Sequence, residues 1–336
     1  MIIESVAYPR AGLVGNPSDG YHGKTISFTF SNYRASVLLY ETPELEILSN
    51  SRDESKFKSI EDLSDDVLLN GYYGGIRLLK ATIKVFRDYC KANGVKLDGR
   101  NFTLRYQTNI PSRVGLAGSS AIITACMRAL MSFYGLRIPK PVQANLILSV
   151  ENKELAIPAG LQDRVAQVYQ GLVYMDFDWE FMRSHGYGRY EYLPLKNLPP
   201  VYIAYRDEMS EGTEVFHNDI RGRYNRAEPE VLNAMRFWGE LTDKVSVAIR
   251  NGKSHEELGP LLNSNFDKRK EIYQISKGNL EMVDAARSVG ASAKFCGSGG
   301  AIVGTYKDEA MYQELNRVLS SLNISLFKPQ FVEPLD

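Results

Sequence analysis

The stretch Asn109–Phe133 most constrains this chain: a polar strand passes Pro111 into Gly115-Leu116-Ala117-Gly118-Ser119-Ser120 and then runs directly into an apolar helix. Gly115 and Gly118 let backbone come close to an anion, and Ser119 and Ser120 place hydroxyls at the helix start. The helix over 121–133 points its first amides back at whatever lies there. The expected ligand is the phosphate tail of a nucleotide. The loop is not a Walker-type P-loop, since no Gly-Lys-Ser/Thr closes it and Arg113 precedes the glycines. Neutralising charge must then come from magnesium and from basic residues elsewhere. Ordinary architecture explains the same residues as a Gly-rich turn with Ser119 or Ser120 as an N-cap, and the loop alone does not choose between the two.

Two further segments bear on the choice. Tyr8–Asp19 puts Arg10 on a short strand, then a turn rich in Gly, Asn and Pro that ends in the carboxylate of Asp19. Lys294–Val303 reads as strand, glycine turn, strand, with Gly297, Ser298 and Gly299 at a turn tight enough to pack against another loop or a ligand. Taken alone, that turn is an ordinary hairpin.

These three segments, in this order and together with Ala159-Gly160-Leu161-Gln162-Asp163, resemble the GHMP family of small-molecule kinases: galactokinase, homoserine kinase, mevalonate kinase and phosphomevalonate kinase. The resemblance covers nearly the whole chain. Arg10 and Gly15–Asp19 are similar to the galactokinase stretch Arg-x-x-x-x-Gly-Glu-His-Thr-Asp, with Asn16-Pro17 in place of Glu-His and the sugar-binding aspartate kept as Asp19. The runs Gly15–Asp19, Gly71–Leu79, Asn101–Leu104, Ala159–Tyr169 and Lys294–Ala301 further resemble the plant-type glucuronokinases. What this implies is ATP-dependent phosphorylation of D-glucuronate at its anomeric hydroxyl. Sibling activities on the same machinery are galactokinase, L-arabinokinase and heptose-phosphate kinase. A sugar- and ATP-binding sensor without turnover is the alternative of another class.

The resemblance also implies roles. Asp163 would accept the proton of the acceptor hydroxyl, Arg10 would face Asp163 and the transferring phosphoryl, and Ser119 with Glu151 would hold Mg2+. Gly115, Leu116, Ala117, Gly118, Ser119 and Ser120 would cradle the ATP phosphates. Asp19, with Gly297, Ser298 and Gly299, would bind the sugar. A uronic acid needs a cation for its carboxylate, and Arg164 and Arg77 are the candidates because a guanidinium fork matches a carboxylate. Each has a plain structural explanation too: Asp163 as a helix-start acid worth a few tenths of a kcal/mol to about one, Glu151 as an exposed helical acid, and either arginine as a salt-bridge partner.

Composition narrows the partners. Lys+Arg and Asp+Glu both number 40, so no net field recruits nucleic acid or an acidic membrane. ATP and a small sugar acid are the expected partners, and oligomeric state is not legible. The residues Met1–Ser5 carry an early acid and no long apolar run, from which a cytoplasmic location is expected. Cys90, Cys126 and Cys296 have no paired spacing and read as reduced thiols, and the scattered His22, His185, His217 and His255 suggest no zinc site.

The 336 residues predict an α+β chain with two domains, divided at the Pro-rich stretch Leu193–Pro200 into 1–197 and 198–336. By the resemblance, the first is a mixed-sheet nucleotide and substrate domain and the second a ferredoxin-like α/β sandwich. Periodicity predicts helices over 65–93, 119–134, 142–154, 161–169, 229–250, 255–277, 280–289 and 308–322. Lys268-Arg269-Lys270 reads as a solvated helix face.

Overall fold

The computed structural model describes residues 1–49, 74–206 and 214–335. Its contacts divide the chain into two compact units that are each discontinuous in sequence. One comprises Met1–Pro9, Tyr33–Ile110 and Gly118–Val168; the other comprises Arg10–Asn32, Pro111–Ala117 and Tyr169–Asp336.

In the first unit, strands β1 (Ile2–Ala7), β4 (Ala35–Thr42), β5 (Glu46–Ile47) and β6 (Asn101–Thr108) form a sheet in the order β1-β4-β6-β5. Its pairs are antiparallel except β5 on β6, which is parallel, so the sheet is mixed as expected. Alternation of buried and partly exposed residues along β4 gives the sheet one apolar face. The Gly118–Phe133 helix packs on β1 and β4 and against the Gly75–Ala92 helix. Phe133 meets Phe102 of the sheet edge-on at 5.3 Å between ring centroids. Gly75 is required at the helix start, because a Cβ there would stand 1.9 Å from the Tyr106 ring.

The second unit carries two antiparallel sheets. Strands β2 (Arg10–Val14), β3 (Lys24–Thr29), β7 (Leu172–Asp176) and β8 (Arg189–Leu193) run in the order β2-β3-β7-β8. Strands β9 (Val201–Arg206), β10 (Lys294–Phe295), β11 (Ala301–Thr305) and β12 (Ile324–Phe327) run β10-β11-β9-β12. With helices between β9 and β10 and between β11 and β12, that order is the split βαβ of a ferredoxin-like sandwich. Tyr202, Phe266, Phe295, Ile302, Leu315 and Leu319 are among its core residues. The pairing of β3 with β7 gathers residues 10–32 into this unit, which a single cut after residue 197 does not express.

Two predicted helices break where apolar periodicity runs on. The helix from His255 stops at Ile272, Tyr273 turns extended (φ −115°, ψ 140°), and a new helix spans Lys277–Ser288. Ile275 in the break packs on the same core as the helices, so the hydrophobic pattern continues through a change of conformation. Likewise the helix over Lys140–Ser149 passes into a wider π turn at Val150–Glu154, a distortion that hydropathy does not register. The helix predicted over 65–93 starts at Gly75, after an extended Gly74, and the earlier part of that prediction lies outside the described residues. The short helix Trp179–His185, the strand β8 and the helix Glu214–Asn225 are additional to the sequence reading.

Gly304 in β11 shows how closely the sandwich is built, since a Cβ there would stand 1.6 Å from the Ser292 carbonyl oxygen. Gly304→Ala is expected to destabilise the protein by about 3 kcal/mol or more, whereas Gly278→Ala, at an open helical position, is expected to stabilise it by about 0.4–1 kcal/mol. Urea unfolding of the two variants checks the contrast, and similar midpoints for both would contradict it.

Candidate active site

In the first unit a chain of polar contacts links three of the singled-out segments. Ser119, in the first turn of the Gly118–Phe133 helix, donates its hydroxyl hydrogen to Glu151 Oε1 at 3.0 Å. Glu151 lies on the π turn and is only 1% exposed. Its Oε2 accepts from Arg164 Nε at 2.8 Å and also from Arg164 Nη2. The same guanidinium donates from Nη1 to Gly160 O at 2.8 Å and stands 3.4 Å from Asp163 Oδ2. Asp163, 21% exposed at its side chain, sits in the first turn of the Leu161–Tyr169 helix, where the helix dipole favours an acid. Ser119, Glu151, Arg164 and Asp163 are thus one connected group.

Arg164 is therefore committed within the protein: it is buried and its fork fixes two carboxylates. Arg77 donates to the Leu155 carbonyl at 3.0 Å, which ties the Gly75–Ala92 helix to the end of the π turn. Both arginines proposed for a substrate carboxylate act as internal braces for the Glu151 segment. The Ser119 hydroxyl and a carboxylate oxygen of Glu151 form a small hard-oxygen set of the kind magnesium takes when phosphates and water complete its shell. Among the described residues there is no larger cage of His, Cys, Asp or Glu.

The second unit assembles the other motifs. Arg10 opens β2 and is buried, donating from Nη1 to Gly115 O at 2.6 Å and to Cys296 O at 3.2 Å. Gly115 has φ +71°, and a Cβ on it would stand 2.9 Å from Gly299 O. A Cβ on Gly297 would stand 2.6 Å from Gly115 O. The residues 111–117 and the 297–300 turn therefore approach backbone to backbone, which explains the glycines in both. Asp19 lies in the single 3-10 turn Ser18–Tyr21 that follows β2.

Four residues given no role in the sequence reading hold this arrangement. Arg269 donates to Gly297 O at 2.9 Å and to Ser298 O at 3.2 Å. Asn265 accepts from Gly15 N at 2.6 Å and donates to Asn16 O at 3.1 Å. Lys294 donates to Gly12 O at 2.6 Å and to Asn16 Oδ1, and Asn16 Nδ2 reaches Gly297 O at 3.3 Å. Arg269 corrects the reading of Lys268-Arg269-Lys270 as a solvated face, for it is 3% exposed. Leu258, Leu262, Asn265 and Arg269 recur at helical spacing along the buried side of the His255–Ile272 helix, a periodicity that was available to find it. Cys296 is a core residue, with burial pushing its thiol up to about 12.

Comparison with known proteins places this geometry. Residues 77–171 match the GHMP kinases N terminal domain. Glucuronokinase 1 of Arabidopsis thaliana is 44% identical over 307 residues, covering 90% of this chain and 84% of that protein. Probable glucuronokinase 2 of the same plant is 44% identical over 309 residues, again covering 90% and 84%. The galactokinase of Lactococcus lactis, solved with galactose, shares the fold with a TM-score of 0.77 at 15% identity, over 98% of this chain and 93% of its own. The fold is that of a GHMP kinase. Within that class the chain belongs to the glucuronokinase family.

Lys294 supplies a test of the second unit's packing. Complete burial holds its ammonium well below the ordinary value of 10.5, and the positive charges of Arg269 and Arg10 push the same way. The folded state therefore holds this proton less tightly than the unfolded chain, so below 10.5 the unfolded chain binds more protons and this group adds stability as pH rises. Relative to Lys294→Met, wild-type stability is expected to increase as the pH rises toward 10.5. Urea unfolding across that range checks it, and a pH-independent difference would show that Lys294 is not titrating out of a buried site.

Proposed function

We propose that this chain transfers the γ-phosphoryl group of ATP to the anomeric hydroxyl of D-glucuronate, giving glucuronate 1-phosphate and ADP. The observation that carries the reading is the 44% identity over 307 residues to a protein named glucuronokinase, joined to an intact Ser119, Glu151, Asp163 and Arg10. Phosphoryl transfer asks a protein chiefly to position groups and stabilise charge. In this reading Gly115, Leu116, Ala117, Gly118, Ser119 and Ser120 hold the triphosphate. Ser119 and Glu151 would hold Mg2+, which would neutralise phosphate charge. Asp163 takes the proton of the anomeric hydroxyl as its oxygen bonds to the γ-phosphorus and the bond to the β–γ bridging oxygen breaks. Arg10 stabilises the transferring group, and Asp19 accepts hydrogen bonds from neighbouring sugar hydroxyls.

Arg164 supports this role for Asp163 by fixing its carboxylate from one side. No helix among the described residues is long and apolar enough to cross a membrane. The three buried free cysteines suit a reducing compartment, and we place the enzyme in the cytoplasm.

ADP release measured over a panel of glucuronate, galactose, arabinose and heptose phosphate tests the assignment, with the phosphate located on the product by NMR. Glucuronate is expected to be the preferred acceptor and C1 the phosphorylated position. Preference for another sugar would replace the substrate while keeping the kinase. Asp163→Asn is expected to lower kcat by about 10²- to 10⁴-fold with the KM for ATP nearly unchanged. A kcat within a few-fold of wild type would remove Asp163 from the proton transfer.

A further inference from the structure

The proposed substrate carries a carboxylate, and four arginines in or beside the motifs already bond within the protein. Arg164 is bound to Glu151 and Gly160, and Arg77 braces Leu155. Arg269 and Arg10 spend N–H groups on the backbone carbonyls of the glycine turns. A different cation sits over the turn that bears Asp19. In the Glu214–Asn225 helix, Arg221 is exposed, and its Nη2 is 3.3 Å from the point where a Cβ of Gly20 would stand. Its guanidinium carbon lies 4.4 Å from the centroid of the Tyr21 ring, and Tyr21 is itself packed against Tyr224 at 4.7 Å.

This stacking has a chemical consequence. An exposed guanidinium held over a tyrosine ring loses part of its freedom and keeps the fork that matches a bidentate carboxylate. Among the described residues, no carboxylate forms an ion pair with Arg221. Gly20, the residue after Asp19, has no side chain to crowd the guanidinium. Burial raises the Tyr21 hydroxyl and the Arg221 charge lowers it, as a cation close to that ring must.

We propose that Arg221 binds the carboxylate of the sugar acid while Asp19 binds hydroxyls of the same ring, so that the pair selects a uronate over a neutral sugar. The inference rests on the kinase reading above and names the specificity-determining residue within it. It also replaces Arg164 and Arg77 in that role.

The test compares glucuronate with glucuronamide, its uncharged counterpart, as acceptors for wild type, Arg221→Gln and Arg221→Lys. Arg221→Gln is expected to raise the KM for glucuronate by about 10- to 100-fold. The KM for glucuronamide, the KM for ATP and kcat should stay within a few-fold, and Arg221→Lys should recover part of the loss. An unchanged KM for glucuronate, or an equal rise for both acceptors, would overturn the role of Arg221 while leaving the kinase assignment in place. Absence of glucuronate turnover in wild type would instead overturn the function on which the inference rests.

Discussion

The guanidinium of Arg10 is the constraint on which the second unit's motifs depend. Two glycine turns approach so closely that the Gly115 carbonyl occupies the space where Gly297 would carry a side chain. Two carbonyls drawn out of water in this way need donors, and an unsatisfied buried acceptor costs about 1–3 kcal/mol. A single buried cation on β2 bonds Gly115 O and Cys296 O from one nitrogen, and Cys296 O also accepts from Gly12 N at 2.8 Å. Arginine suits the place better than lysine, since its remaining donors point in fixed directions from the same plane. Arg269 repeats the device one residue along, at Gly297 and Ser298. The loops are therefore shaped by cations bonded to backbone, and the glycines exist because the backbone must come that close.

The first unit solves a different problem with a buried ion pair. Taking Glu151 and Arg164 out of water costs most of what their attraction returns, so the pair adds little net stability, although removing one partner alone costs about 3–5 kcal/mol. What it gives is position. With Oε2 held by Arg164 and Oε1 by Ser119, the Glu151 carboxylate has one orientation, and the same guanidinium fixes the neighbouring Asp163. The π turn that carries Glu151 departs from regular helix, a local irregularity of the kind that re-aims functional side chains.

The sequence made the element types legible because most strands and helices here have clean periods and marked ends. The Gly94 stop after the Gly75–Ala92 helix, the Pro229 start of the 22-residue helix and the Gly297 turn were each read from residues whose backbone preferences are strong. The helix break at Tyr273 was not, because Ile275 continues the apolar pattern across it. The motif residues were legible as a set, yet the partners of their side chains were not. Arg164 stands beside Asp163 in the chain, and adjacency suggested a substrate contact. Its buried bond to Glu151, 13 positions away, depends on how the π turn folds back. Arg221 was passed over for a related reason: its helix was not recognised, and its relation to Gly20 spans some two hundred residues of chain.

The missing Walker lysine also finds a physical answer. In the second unit Arg10, Arg269 and Lys294 are all buried and bond backbone carbonyls, Lys294 also the Asn16 amide, and the Asp19 carboxylate acts on the Arg269 charge. A carbonyl satisfies an N–H group without cancelling its charge. Burial holds the Lys294 ammonium well below its ordinary value. An arginine guanidinium stays charged across the ordinary pH range. In a poorly hydrated setting that charge acts on nearby anions more strongly than a solvated lysine on a loop. Under the proposed function, cations held beneath the glycine turns would let Gly115–Ser120 hold phosphate through backbone amides and hydroxyls alone.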